Sequence, residues 1–142
     1  MSNFIRYGVG LGMAGAYQVS GKPFVSGGID VTAATLAGTP LEIAFPTVTR
    51  WIIVRNMDTD GSTNDLIKVA ASSTGFDNGN FFEMRDDYST SYRRHSVTPR
   101  MEMKLTKLYL SGTSTHVDVI AGLTNIPTGS IPNGWAGIEG VG

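Results

Sequence analysis

The sequence predicts an all-β protein: one antiparallel β-sandwich of about eight strands, with an extended arm at each end. Three observations carry that expectation. Apolar and polar residues alternate with a period of two in one run after another, the pattern of strands with a dry face and a wet face. The runs recur at close to the 8–12-residue spacing of sandwiches and barrels. Glycine, 18 of 142 residues, crowds the ends, with five between Gly8 and Gly21 and four between Gly134 and Gly142.

Residues 1–23 read as an arm. Phe4, Ile5, Tyr7, Val9, Leu11 and Met13 are apolar, but glycines at 8, 10, 12 and 15 break helical propensity. Gly10 to Gly15 matches the G-x-G-x-x-G string of dinucleotide sites, yet too few residues precede it for a strand. Gly21-Lys22-Pro23 also closes off the helix that motif requires.

The sandwich is expected over residues 24–127. In its first strand Val25, Gly27, Ile29 and Val31 alternate with Ser26, Gly28, Asp30 and Thr32, and 33–40 follow as a loop. Leu41, Ile43 and Phe45 form one face of a second strand that Pro46 ends. Thr49 to Asn56 is apolar on both faces in its middle, which predicts a central strand covered on both sides. Trp51 would be its core or interface anchor. Leu66 to Ala70 and Phe81 to Met84 give two more strands. Met101, Met103 and Leu105 then alternate with Arg100, Glu102 and Lys104 in another. Lys107 to Leu110 follows, and after the turn residues Ser111 to Ser114 the alternation resumes at Val117, Val119 and Ala121. Residues 128–142 lack periodicity and read as an extended tail. Ile131 and Trp135 are anchors that a solvated linker would seldom carry.

Composition excludes several classes. Net charge is −1, from 11 Lys+Arg against 12 Asp+Glu, so no overall field draws the chain to nucleic acid or an acidic membrane. Without cysteine there is no disulfide framework and no thiolate zinc site. No run approaches the ~20 apolar residues of a membrane helix, and the N-terminus lacks the apolar core of a secretory signal.

Chemistry-bearing residues are sparse. Asp58, Asp60 and Asp65, with the Ser and Asn oxygens between them, offer hard ligands for calcium. EF-hand spacing is absent, and the same residues suit a polar turn. Tyr92-Arg93-Arg94-His95 is the densest cationic spot, with Asp86 and Asp87 near enough to pair with it. His116 and Asp118 share a strand face as a triad would need, but no G-x-S-x-G elbow accompanies them. No catalytic residue and no cofactor is expected.

The chain resembles the small β-sandwich structural proteins of tailed-phage and icosahedral virus capsids. The resemblance is carried by Phe45 to Asn56, Phe81 to Met84, Arg100 to Leu105 and Val119 to Pro127, and spans residues 24–127. It implies a jelly-roll-like sandwich acting as a cement (decoration) or vertex protein in the virion capsid. Its partners would be other copies of itself, as a trimer or pentamer, and a major capsid protein. Phe4, Tyr7, Leu11, Ile131 and Trp135 would then be the arm residues that lace subunits together. The competing expectation is a calcium- or sugar-binding module, with Trp51, Tyr88, Tyr92 or Trp135 as a stacking platform.

Overall fold

A computed structural model of the chain describes residues 21–57, 65–89 and 92–142, with backbone alone for 87–89, 92–94 and 132–133. The first sheet contains β1 (Lys22–Ile29), β3 (Thr49–Asn56), β8 (Ser96–Val97), β9 (Met101–Glu102) and β11 (Val117–Leu123). The second contains β2 (Leu41–Ala44), β4 (Leu66–Ala70), β5 (Phe82–Arg85) and β10 (Lys107–Gly112). β6 (Asp87–Ser89) and β7 (Tyr92–Arg94) form a separate hairpin between β5 and β8. A short helix, α1 (Thr32–Leu36), joins β1 to β2.

Spatial order is β1–β11–β3–β8 in one sheet, with β9 beside β8 on the same flank of β3, and β2–β10–β4–β5 in the other. Among the described residues, counting β8 and β9 as one interrupted strand and leaving aside the β6–β7 hairpin gives the sandwich eight strands, and the chain changes sheet at every step except β4 to β5. That is the jelly-roll arrangement.

The core lies between the sheets. Ile52, Val54, Val117, Val119 and Ala121 come from the first, and Ile67, Val69, Met84, Leu108 and Leu110 from the second; all are buried. Phe24 meets Phe45 edge-on, ring centroids 5.0 Å apart, and closes the core at the β1–β2 corner. This is the alternation of the sequence turned into two inner faces.

Several elements depart from the simple pattern. A bulge between Ser26 and Ile29 switches the phase of β1. Phe24 therefore faces inward and Val25 outward, at 69% exposure, instead of sharing a face with Ile29. Gly28 takes φ +66°, where a side chain is strained. Thr32, expected in the first strand, and residues 33–36, expected in a loop, form α1, at whose start the Asp30 carboxylate accepts from the Thr32 N–H at 2.9 Å and from its hydroxyl at 2.6 Å. The Gly112 N–H then donates to the Thr35 hydroxyl at 2.7 Å, which pins α1 to β10.

β3 is covered on one face only. Ile52, Val54 and Asn56 are buried, whereas Trp51, Ile53 and Arg55 on the opposite face are half-buried. The strand expected from Arg100 to Leu105 keeps regular pairing only at Met101–Glu102. Beyond it the buried Thr49 takes over, donating its hydroxyl to the Met103 carbonyl and accepting from the Leu105 N–H.

The tail is not extended. Residues 128–130 and 132–135 form 3₁₀ turns, and Ile131 is buried with Val48 and Ile126 in a small second core. Trp135 packs against both cores and its indole N–H donates to the Lys104 carbonyl. The Ser72 hydroxyl donates to the Val141 carbonyl at 2.9 Å, so the chain folds back on its own sandwich almost to its end.

Asn56 is the polar hub of the core's edge. It is fully buried, donates to the Asp65 carbonyl at 2.9 Å and accepts from the Ser114 hydroxyl at 2.7 Å. Asn56→Ala removes both bonds from the buried edge of the core, leaving the Asp65 carbonyl with the Asp86 N–H and the Ser114 hydroxyl with the backbone of His116. It should lower unfolding free energy by about 1–3 kcal/mol in urea titration with an unchanged m-value.

Candidate functional site

The two outer faces of the sandwich differ in kind. On the second sheet, Tyr109 stands opposite Glu42 and Ser111 opposite Lys68, and Lys68 in turn is opposite Glu83. Lys107 Nζ lies 2.9 Å from Glu42 Oε1, and the Tyr109 hydroxyl donates to Glu42 Oε2 at 3.0 Å. The lysine hydrogen bond, supported by that of Tyr109, holds the Glu42 carboxyl below its usual range, and Glu42 in return raises Lys107. Burial, then the bond to Glu42, pushes the Tyr109 phenol up. This is a solvated, internally paired face.

The first sheet's outer face has an apolar centre. Pairing aligns Val25 with Ile120 and Ile120 with Ile53, so three aliphatic side chains form one continuous row across β1, β11 and β3. The adjoining row runs Pro23, Gly122, Trp51. Gly122 has no side chain, and Trp51 stands half-buried beside it. Val97 on β8 adds a further exposed aliphatic, at 52%.

Charges rim this patch rather than cross it. The Arg100 guanidinium lies 5.8 Å from the Trp51 ring centroid and pairs with Glu102, which Arg50 also approaches at 3.6 Å. At the other end Asp118 accepts from the Gly28 N–H at 3.0 Å, with Arg55 3.9 Å and His116 3.5 Å from its oxygens. The patch thus has an aliphatic centre, one aromatic side chain and an arginine-bearing margin.

His116 and Asp118 therefore do share a face, as their spacing implies. The carboxylate, however, serves as a staple for the β1 bulge, and the nearby Ser114 hydroxyl is committed to Asn56. Asp65 is buried beside Asn56, while Asp58 and Asp60 lie outside the described residues. Among the described residues no three His, Asp or Glu side chains gather in a metal-binding group. Phe4, Tyr7 and Leu11 also lie outside them, as do the side chains of Tyr88 and Tyr92.

Ile131 and Trp135 sit within the fold. They act as internal anchors because the 3₁₀ turns return the tail to the sandwich. The aromatic pair that sequence reading missed is Phe76–Phe81, stacked at 5.8 Å beside a polar cleft of about 370 Å³ that Ser111 and Asp77 help to line. Lys68 lies 4.6 Å from the Phe81 centroid and occupies that ring's face. A separate apolar cavity of about 350 Å³ lies between Ile52, Val69, Phe82, Met103 and Leu108, with Val141 at its margin.

Comparison with protein-family models, curated proteins and solved structures finds no match.

Two outcomes follow. Trp135→Ala removes a half-buried ring shared by both cores and should cost about 2–3 kcal/mol by chemical denaturation. Glu42 has a depressed folded pKa, so its contribution is present above the unfolded value of about 4.3 and is lost as pH falls through the folded value. Glu42→Gln should lower Tm slightly at pH 7, and the difference from wild type should shrink and vanish as pH falls through the lowered folded value, by thermal melts across pH.

Proposed function

We propose that this chain is a non-enzymatic structural subunit of an icosahedral virion, a capsid cement (decoration) or vertex protein. It associates with copies of itself and with a major capsid protein. The observation that carries this reading is the contrast between the two outer faces: one ion-paired and solvated, the other an aliphatic row with a tryptophan anchor and a charged rim. A jelly roll that leaves one sheet face apolar gains by covering it with protein, at about 25 cal/mol for each Å² removed from water. The titratable pair most suggestive of chemistry, His116–Asp118, is built into a backbone staple, which favours a scaffold over an enzyme.

A second reading, a sugar-binding module, draws on the Phe76–Phe81 pair beside its polar cleft. Lys68 over Phe81 weakens it, because a sugar ring would have to displace that cation.

The test is co-sedimentation of purified chain with capsid shells that lack it, alongside light scattering of the chain alone. Ile120→Lys puts a charge at the centre of the patch. It should leave the melting curve near that of wild type and weaken shell association about 30-fold, the scale of a hot-spot loss of ~2 kcal/mol. A wild-type chain that stays monomeric and ignores shells would refute the structural reading, and glycan binding in the same assay set would favour the second.

A further inference from the structure

We infer that the outer edge of β1 accepts residues 5–13 of a second copy of this chain as an added strand. The inference deepens the reading above and rests on its premise that copies of the chain meet.

The receiving edge is visible in the fold. Among the described residues β1 ends the first sheet, paired to β11 on one side only. The aliphatic row Ile53–Ile120–Val25 grows more exposed toward that edge, from two half-buried residues to Val25 at 69%. A strand laid beside β1 would continue the row by one residue and cover Val25. It would also satisfy backbone groups that an edge leaves unpaired.

The donor is read from the sequence. Ile5, Tyr7, Val9, Leu11 and Met13 are apolar at every second position, and Arg6, Gly8, Gly10, Gly12 and Ala14 fill the intervening ones. A strand of this pattern has one full apolar face and one nearly bare face. Its apolar face matches the row that ends at Val25. Its glycine face suits the inner side of the edge, where Phe24 and Phe45 already close the core.

Direction decides whose arm it is. The Gly21 N–H donates to the Leu123 carbonyl at 2.6 Å, so the β1 ladder still runs straight where the arm begins. Between Ile5 and Val19 there is no Asn-Gly, Asp-Gly or Gly-Gly pair, the dipeptides of the type I′ hairpin turn that would most readily fold the arm back on its own strand. The alternation instead resumes at Tyr17 and Val19 and leads directly into β1. Fifteen extended residues reach roughly 50 Å, enough to meet a neighbouring subunit.

The chain has no cysteine, so single cysteines report on this contact without background. Full-length Val25→Cys, carrying a mass label, is mixed with full-length Val9→Cys or Leu11→Cys and mildly oxidised. Glu83→Cys, exposed on β5 of the other sheet, serves as control, and each variant is first matched to wild type by circular dichroism melting. At least one arm variant should give labelled heterodimers with Val25→Cys at about ten times the yield it gives with Glu83→Cys, since paired strands bring Cα atoms within disulfide reach. Equal yields overturn the inference. So does a Val9→Cys/Val25→Cys or Leu11→Cys/Val25→Cys double variant that closes only within one chain. Shell binding without cross-linking refutes this contact and leaves the capsid reading intact; cross-linking without shell binding does the reverse.

Discussion

The fold depends on two central ladders held face to face: β3 with β11 in one sheet, β4 with β10 in the other. Each of these strands is hydrogen-bonded on both sides, so its register is set from two directions. A slip of one residue would carry Ile52, Val54, Val117 and Val119 out of the core together. The remaining elements are arranged around that requirement. β1 and β2 close one corner through Phe24 and Phe45, while β5 completes the far edge of the second sheet with Met84.

Where the ladders falter, short polar side chains replace the missing backbone partners. Thr98 bridges the gap between β8 and β9, its hydroxyl accepting from the Val54 N–H and its own N–H donating to the Val54 carbonyl, both at 2.9 Å. Thr49 does the same beyond β9, and Thr124 donates to the Val48 carbonyl at 2.7 Å past the end of β11. Thr49 and Thr124, with Asn56 and Ser114, are fully buried polar residues. Their positions follow from the need to satisfy every buried N–H and C=O group.

The same economy shapes the surface. Residues on the outer face of the second sheet satisfy one another, as Glu42 does with Lys107 and Tyr109, and so make little demand for a partner. On the first sheet the charged groups are drawn to the margins and into staples: Asp118 to the β1 bulge, Glu102 to Arg50 and Arg100. An aliphatic row is left in the middle.

The alternation of Val117, Val119 and Ala121, and of Leu108 with Leu110, determined from sequence alone that these strands exist and which of their faces is buried. Period-two spacing is a local property, because successive side chains must point to opposite sides of a strand. Strand order was beyond its reach, since pairing partners are set by which inner faces fit across the sandwich. Residues 49–56 read as covered on both sides because nothing in Trp51-Ile52-Ile53-Val54 says whether a second layer lies outside; here the tertiary structure leaves Trp51 and Ile53 facing out. The phase of β1 was likewise decided by a bulge, which inserts an unpaired residue that the alternation cannot register. Trp135 was legible as an anchor but its target was not: only the folded chain places the Lys104 carbonyl where the indole N–H can reach it. Periodicity belongs to neighbours along the chain, whereas coverage, phase and docking belong to residues brought together from far apart.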